Sequence, residues 1–192
     1  MLLMILFLSL VLLFLIPIVY ALPAALILPR GRRPGLKPLH ISQAVEQLQS
    51  SGLEGKELAH AARDLVSDRM DYCRRNSFDP YQRAFDRGYG YCQQQAYALV
   101  HLLNELDFDA RVVHAFRNRL PDGKVACHAW VQFSIDDEFY SLDSIFYDCE
   151  TGGITFRPIS RVMHYTLPFR LIAGWGCVAV NAHRYYVTGR DK

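Results

Sequence analysis

The stretch GYGYCQQQAYALVHLLNELDFDARVVHAF, residues 88–116, carries the change of pattern on which the fold turns. Ala96, Leu99, Val100 and Leu103 follow Cys92 by four, seven, eight and eleven residues, the spacing of one helix face, so a helix is expected from Cys92 to about Leu106. Cys92 shares that core-facing side at the helix N-terminus, with Gly88 and Gly90 leading into it. Beyond the helix the period falls to two, and Ala110 to Phe116 reads as a strand.

Working outward, helical spacing also holds before this stretch. Val45 and Leu48, then Leu58, Ala61, Ala62, Leu65 and Val66, predict a short helix and a longer one ending near Arg75, divided at Ser51-Gly52. Asn76 to Gly90, rich in polar, aromatic and turn residues, reads as a loop. After it, Cys127 to Ile135 and Glu138 to Asp143 alternate like strands, with turns at Pro121-Asp122-Gly123 and Asp136-Asp137. Gly176 to Val187 is expected to add one or two further strands. Helices followed by consecutive antiparallel strands imply an α+β domain with helices packed on one side of a sheet.

The N-terminus has a different composition. Leu2 to Leu28 carries no charged side chain, and Arg30 is the first. A helix of about 27 residues would be roughly 40 Å long, against a hydrocarbon core of about 30 Å, so a transmembrane anchor is expected. Pro17 and Pro23 are expected to kink or end it, which leaves Leu2 to about Tyr20 as the span. A cleaved signal peptide, with Val19-Tyr20-Ala21 as its site, is the alternative; the length of the run and the lack of a preceding cation favour the anchor. Arg30, Arg32, Arg33 and Lys37 follow the run, which by the positive-inside rule puts the domain in the cytoplasm; an extracytoplasmic or secreted domain is the alternative. Five cysteines, an odd number without framework spacing, agree with a reducing compartment. The expected organisation is an anchor over 1–28, a Pro/Arg-rich linker over 29–40 and one domain over 41–192. The membrane is then a partner through the N-terminal helix.

A formal charge of +2, with no long basic run interleaved with aromatics after residue 40, gives no argument for nucleic acid. The cysteines and histidines show neither CxxC nor a helical HxxxH pair, so no metal or other cofactor is expected. Oligomeric state has no signature here.

Three residues could carry chemistry. At a helix N-terminus, free N–H groups and the helix dipole stabilise the thiolate of Cys92 and an oxyanion formed during acyl transfer. His128, on the strand Cys127–Ile135, is a base that could take and return the thiol proton. If Asp136-Asp137 forms a two-residue turn, Ile135 pairs with Glu138, Trp130 falls opposite Asp143, and His128 becomes the diagonal neighbour of Asp143. A carboxylate there would fix the imidazole tautomer. Taken singly, each has a plain structural role as a buried cysteine, a strand histidine or a strand-end aspartate. Cys127, on the face opposite His128, is expected in the core. Arg74, Arg75, Arg83 and Arg87 flank the expected cleft entrance, more simply as a solvated loop.

These segments resemble the transglutaminase-like superfamily, whose fold is related to papain-like cysteine proteases. The resemblance rests on Gly90-Tyr91-Cys92, Leu102-Leu103-Asn104-Glu105-Leu106, Ala110-Arg111-Val112-Val113, His128-Ala129-Trp130-Val131 and Tyr140-Ser141-Leu142-Asp143, in the family's order. It implies Cys92 as nucleophile, His128 as general base and acid, and Asp143 as the orienting carboxylate. Gln93 stands where animal transglutaminases have Trp, and no acidic cluster resembles their calcium sites, which argues against calcium-activated crosslinking. Gln82, Tyr89 and Gln94 are weak candidates for completing the oxyanion hole. The expected function is thiol-dependent acyl transfer on carboxamide or peptide carbonyls of a protein or peptide, as a cysteine protease, amidase or transglutaminase. The alternative is a non-catalytic, membrane-tethered binding or scaffolding domain that keeps the fold.

Overall fold

A computed structural model describes residues 2–28 and 30–189. Its elements run α1 (Leu2–Ile27), α2 (Ile41–Gln49), α3 (Gly55–Arg69), β1 (Asp71–Tyr72), α4 (Tyr81–Arg87), β2 (Tyr89–Gly90), α5 (Cys92–Glu105), β3 (Asp109–Arg119), β4 (Val125–Ile135), β5 (Glu138–Leu142), β6 (Arg157–Pro158), β7 (Met163–His164) and α6 (Leu167–Thr188). The main sheet is antiparallel in the order β5-β4-β3-β6, with β7 also on β3. This is the α+β architecture expected from the change of period.

Alternation along the strands decides where the core lies. Ala110, Val112, Ala129, Val131 and Phe133 turn toward the helices and pack with Val66, Phe85, Leu99 and Leu102. Val113, Ala115 and Trp130 turn to the other face and pack with Phe156. The β4–β5 turn uses Asp136 and Asp137 in the left-handed region, at φ 50° and 65°. Two positive φ values match the twist of the flanking strands, and Asp tolerates them. Ile135 therefore pairs with Glu138, and Val131 with Leu142.

Several segments differ from the sequence expectation. Helix α3 stops at Arg69, because residues 71–72 pair as a short parallel ladder with Tyr89 and Gly90. The expected loop 76–90 contains α4, which Gly88 ends in the left-handed conformation at φ 81°. Residues 176–187 are not strands but lie within α6. Their Val, Tyr and Ala content suits either structure, but Pro168 in the first turn and Gly189 at φ 57° after the last turn frame a helix. A tertiary contact fixes α6 as well: a Cβ on Gly174 would lie 2.8 Å from the ring of Phe78, so only glycine lets that ring pack there. Ser77 donates to the Gly174 carbonyl at 3.0 Å.

The N-terminal transmembrane helix is also corrected. Among the described residues no helix is long and apolar enough to cross a membrane. The helix α1 continues past Pro17 and Pro23 to Ile27, and its C-terminal part is partnered by protein: Ala21 and Ala24 are buried with Val178 and Ala182 of α6. The segment 30–40, expected as a linker, forms no helix or strand yet is tied to the domain. Arg69 donates to the carbonyls of Phe85, Lys37 and Leu39, and Arg33 reaches Asp71 at 2.7 Å.

Candidate active site

Cys92 is the first residue of α5, after Tyr91 at the N-cap. Gln94 reaches back so that its Oε1 accepts from the Tyr91 N–H at 3.3 Å, which fixes the chain direction at the helix start. The β1–β2 ladder sets Tyr72 beside Gly90, and the Cys73 N–H donates to the Gly90 carbonyl at 3.0 Å. Residues 72–74 are thereby held against the nucleophile's end of the helix.

His128 lies on β4 and Asp143 just beyond β5. The expected register holds, and His128 Nε2 lies 2.7 Å from Asp143 Oδ2, with both side chains almost fully buried. Asp143 also accepts from the backbone N–H groups of Ile145 and Phe146, so the chain that follows it orients its carboxylate. The imidazole is boxed by the rings of Phe146 and Phe156 at 5.2 and 4.9 Å. Burial pulls the His128 pKa down, but the bonds to Asp143 and to the Cys92 thiol outweigh it and push it up to about 10. With Nε2 on the carboxylate, Nδ1 is the nitrogen left for the sulfur. The fold thus brings Cys92, His128 and Asp143 together.

The three glutamines after Cys92 build the surroundings. Gln93 Oε1 accepts from the hydroxyls of Tyr91 and Tyr165, the latter at 3.1 Å. The Gln94 amide donates to the carbonyls of Asn76 and Asp79, both at 2.9 Å, and pins the 76–79 loop. Gln95 is buried; it donates to the carbonyls of Met70 and Gly90 and accepts from Ser144 Oγ at 2.9 Å. One side chain therefore links the approach to Cys92 with the residue after Asp143.

Cys92 opens onto a cleft of about 430 Å³ between the start of α5, the ends of β3 and β4, and α6. Cys127 lines this cleft and is exposed, contrary to its expected place in the core. It lies on the helix-covered face as its strand position requires, but that face runs beyond the start of α5 here. A β-bulge adds to the effect: between the pairs Ala115–His128 and Asn118–Ala126, two residues of β3 oppose Cys127 alone. Although its surface opens to the cleft, the surrounding cleft walls desolvate the Cys127 thiol, and this, then the charge of Cys92, raise it to about 11.

Tyr72 and Arg74, also at the cleft, are contributors that spacing could not single out. Arg74 Nε donates to Tyr72 Oη at 3.3 Å. Desolvation, then the charge of Cys92, push the Tyr72 phenol up to about 12, with Arg74 opposing. Of the other expected arginines, Arg87 is buried on Asp79, with Arg83 3.8 Å from the same carboxylate, so neither opens the cleft. None of Gln82, Tyr89 and Gln94 lines the cleft. Gln82 is exposed on α4, Tyr89 is buried against Arg30, and Gln94 is committed to loop carbonyls. Among the described residues, no group of three or more His, Cys, Asp or Glu side chains is placed to hold a metal ion.

The sequence model of the transglutaminase-like superfamily core matches residues 42–144, from α2 through Asp143 to Ser144. The chain belongs to the transglutaminase-like superfamily. The matched region ends just past the carboxylate, and α6 lies beyond it. No curated protein matches the chain. Among solved structures it is similar to "a Putative Cysteine Protease from Cytophaga hutchinsonii", with 18% identity and a TM-score of 0.45. That match covers 58% of this chain and 40% of the other, so the chain spans less than half of that protein.

Proposed function

We propose that this member of the superfamily is a thiol-dependent acyl-transfer enzyme acting on carboxamide or peptide carbonyls of a protein or peptide. The observation that carries the reading is the bond between His128 and Asp143, buried beside a cysteine that opens a helix and faces a cleft. In the proposed reaction His128 already holds the proton given up by Cys92, as its raised pKa requires, and the sulfur attacks the carbonyl carbon. The carbonyl oxygen becomes an oxyanion next to the Cys92 N–H at the α5 N-terminus, where the helix dipole is positive. Tyr72 is the second donor in this scheme, since its oxygen accepts from Arg74 and its own proton remains free to give.

Collapse of the tetrahedral adduct breaks the C–N bond, and His128 passes its proton to the leaving amine. A thioester on Cys92 remains. We take water as the second acceptor, deprotonated by His128, which gives a protease or amidase; an amine in its place would give transfer. Asp143 orients the ring and stabilises its cation throughout.

Alkylation by iodoacetamide, followed by peptide mapping, tests the reading. Rapid modification at Cys92, together with loss of peptide-amide cleavage in Cys92→Ala, is expected. An unreactive Cys92, or cleavage that survives Cys92→Ala, would favour the non-catalytic binding domain instead.

A further inference from the structure

Helix α6 lies outside the region matched by the superfamily model, yet it builds one whole wall of the cleft at Cys92. Its lining residues are Phe169, Ile172, Ala173, Gly176, Cys177 and Val180, spaced three, one, three, one and three apart. That is a single helical stripe. From Phe169 to Val180 it runs about 16 Å at 1.5 Å per residue. An extended peptide advances about 3.3 Å per residue, so roughly five residues fit along it.

The stripe has an aromatic ring at one end and a notch of small residues, Ala173 and Gly176, in the middle. Phe169 closes one end against His114 and Phe116, at ring distances of 4.7 and 5.4 Å. Arg74 and Tyr72 lie toward the nucleophile. Between them, a Cβ built on Gly176 meets nothing within 4 Å. A second observation points to a ligand here. His114 lines the cleft and is 1% exposed; neither ring nitrogen makes a well-formed hydrogen bond among the described residues, with the Met163 backbone set only loosely against the ring. A buried imidazole paired this weakly gains from a polar group of a bound peptide backbone that reaches it.

Resting on the acyl-transfer reading above, we propose that the Ala173–Gly176 notch receives a large apolar side chain of the acyl-donor residue, and that α6 sets the specificity of Cys92 for extended peptides carrying one. The walls that meet the side chain are apolar, so desolvating it there is favourable. The Arg74 cation disfavours a lysyl donor.

The rate of Cys92 alkylation by peptidyl ketone electrophiles tests this. Glycyl, phenylalanyl, lysyl and glutamyl probes would be compared with an octanoyl probe, and iodoacetamide would report the thiol itself. The phenylalanyl probe is expected to react faster than the glycyl and lysyl probes by on the order of tenfold or more. In Gly176→Phe, which fills the notch and raises helix propensity, the phenylalanyl-over-glycyl ratio is expected to fall to about one. A flat profile in the native chain, a fastest glutamyl or octanoyl probe, or an undiminished ratio in a folded Gly176→Phe would overturn the assignment while leaving the nucleophile standing. Failure of every reagent, iodoacetamide included, to label Cys92 would overturn both.

Discussion

His128 Nε2 and Asp143 Oδ2 lie 2.7 Å apart, with only 4% and 3% of their side-chain surfaces exposed. A buried pair of this kind depends on the imidazole keeping its proton. The His128 pKa is raised from 6.5 to about 10, so the folded state binds this proton more tightly than the unfolded chain does. The resulting stabilisation is fully present below about pH 6.5 and is lost as pH rises through about 10. Its upper bound is on the order of a few kcal/mol. Thermal melts between about pH 6 and pH 10 should therefore show a gap between the native chain and Asp143→Asn that narrows toward alkaline pH. A gap constant across that window would remove the ion pair from the account.

Gln95 joins Gly90, Met70 and Ser144. Gln95→Leu keeps the volume but takes this partner from the buried Met70 carbonyl and the Ser144 hydroxyl, and removes one of two bonds at the Gly90 carbonyl, which keeps the Cys73 N–H. A loss of about 2–4 kcal/mol in urea unfolding is expected. Cleavage should fall further than stability alone explains, because the same side chain sets the spacing between the Cys92 approach and the Asp143 exit.

Gly152 has a φ of +72°, and a Cβ there would lie 2.2 Å from Cε1 of His60. Gly152→Ala should cost about 1–2 kcal/mol for the left-handed backbone alone, with displacement of the His60 ring in addition. Burial, then the charge of Arg63, hold the His60 pKa down. Release of the ring should raise that pKa, which NMR titration of the imidazole would show. A variant with native stability and an unshifted His60 would contradict the packing described here.

Tyr72→Phe removes one hydroxyl and leaves the ring. As an oxyanion donor, that hydroxyl should be worth about 10²–10³ in kcat with little change in KM. A fall in kcat below about threefold would assign the second donor elsewhere.

The part of the site that was legible in the sequence is the part set by local geometry. Asp136-Asp137 forms a two-residue turn, a period of two follows on both sides, and Ile135 must then meet Glu138; the position of Asp143 relative to His128 follows from counting. Cys92 at a helix start was readable from Gly88, Gly90 and the stripe after it. The roles of Gln93, Gln94 and Gln95 were not, because each is defined by a partner from 18 to 72 residues away in the chain. Cys127 shows the same limit. Alternation placed it on the correct face, but whether that face is covered depends on where α5 begins. The helix α6 was misread because its Val, Ala and Tyr residues satisfy a strand as well as a helix, and its lining stripe has meaning only against the cleft. The secondary structure of α1 was legible but its partner was not, since uniform apolarity does not reveal that Ala21 and Ala24 pack on Val178 and Ala182.

The most direct test of the central claim is the mass of the acid-quenched enzyme during turnover of a peptide amide. The account predicts one added acyl group, mapped to Cys92, absent in Cys92→Ala and formed about 10²–10⁴-fold more slowly in His128→Ala. Turnover by Cys92→Ala at the native rate, or an acyl group mapped to another residue, would contradict it.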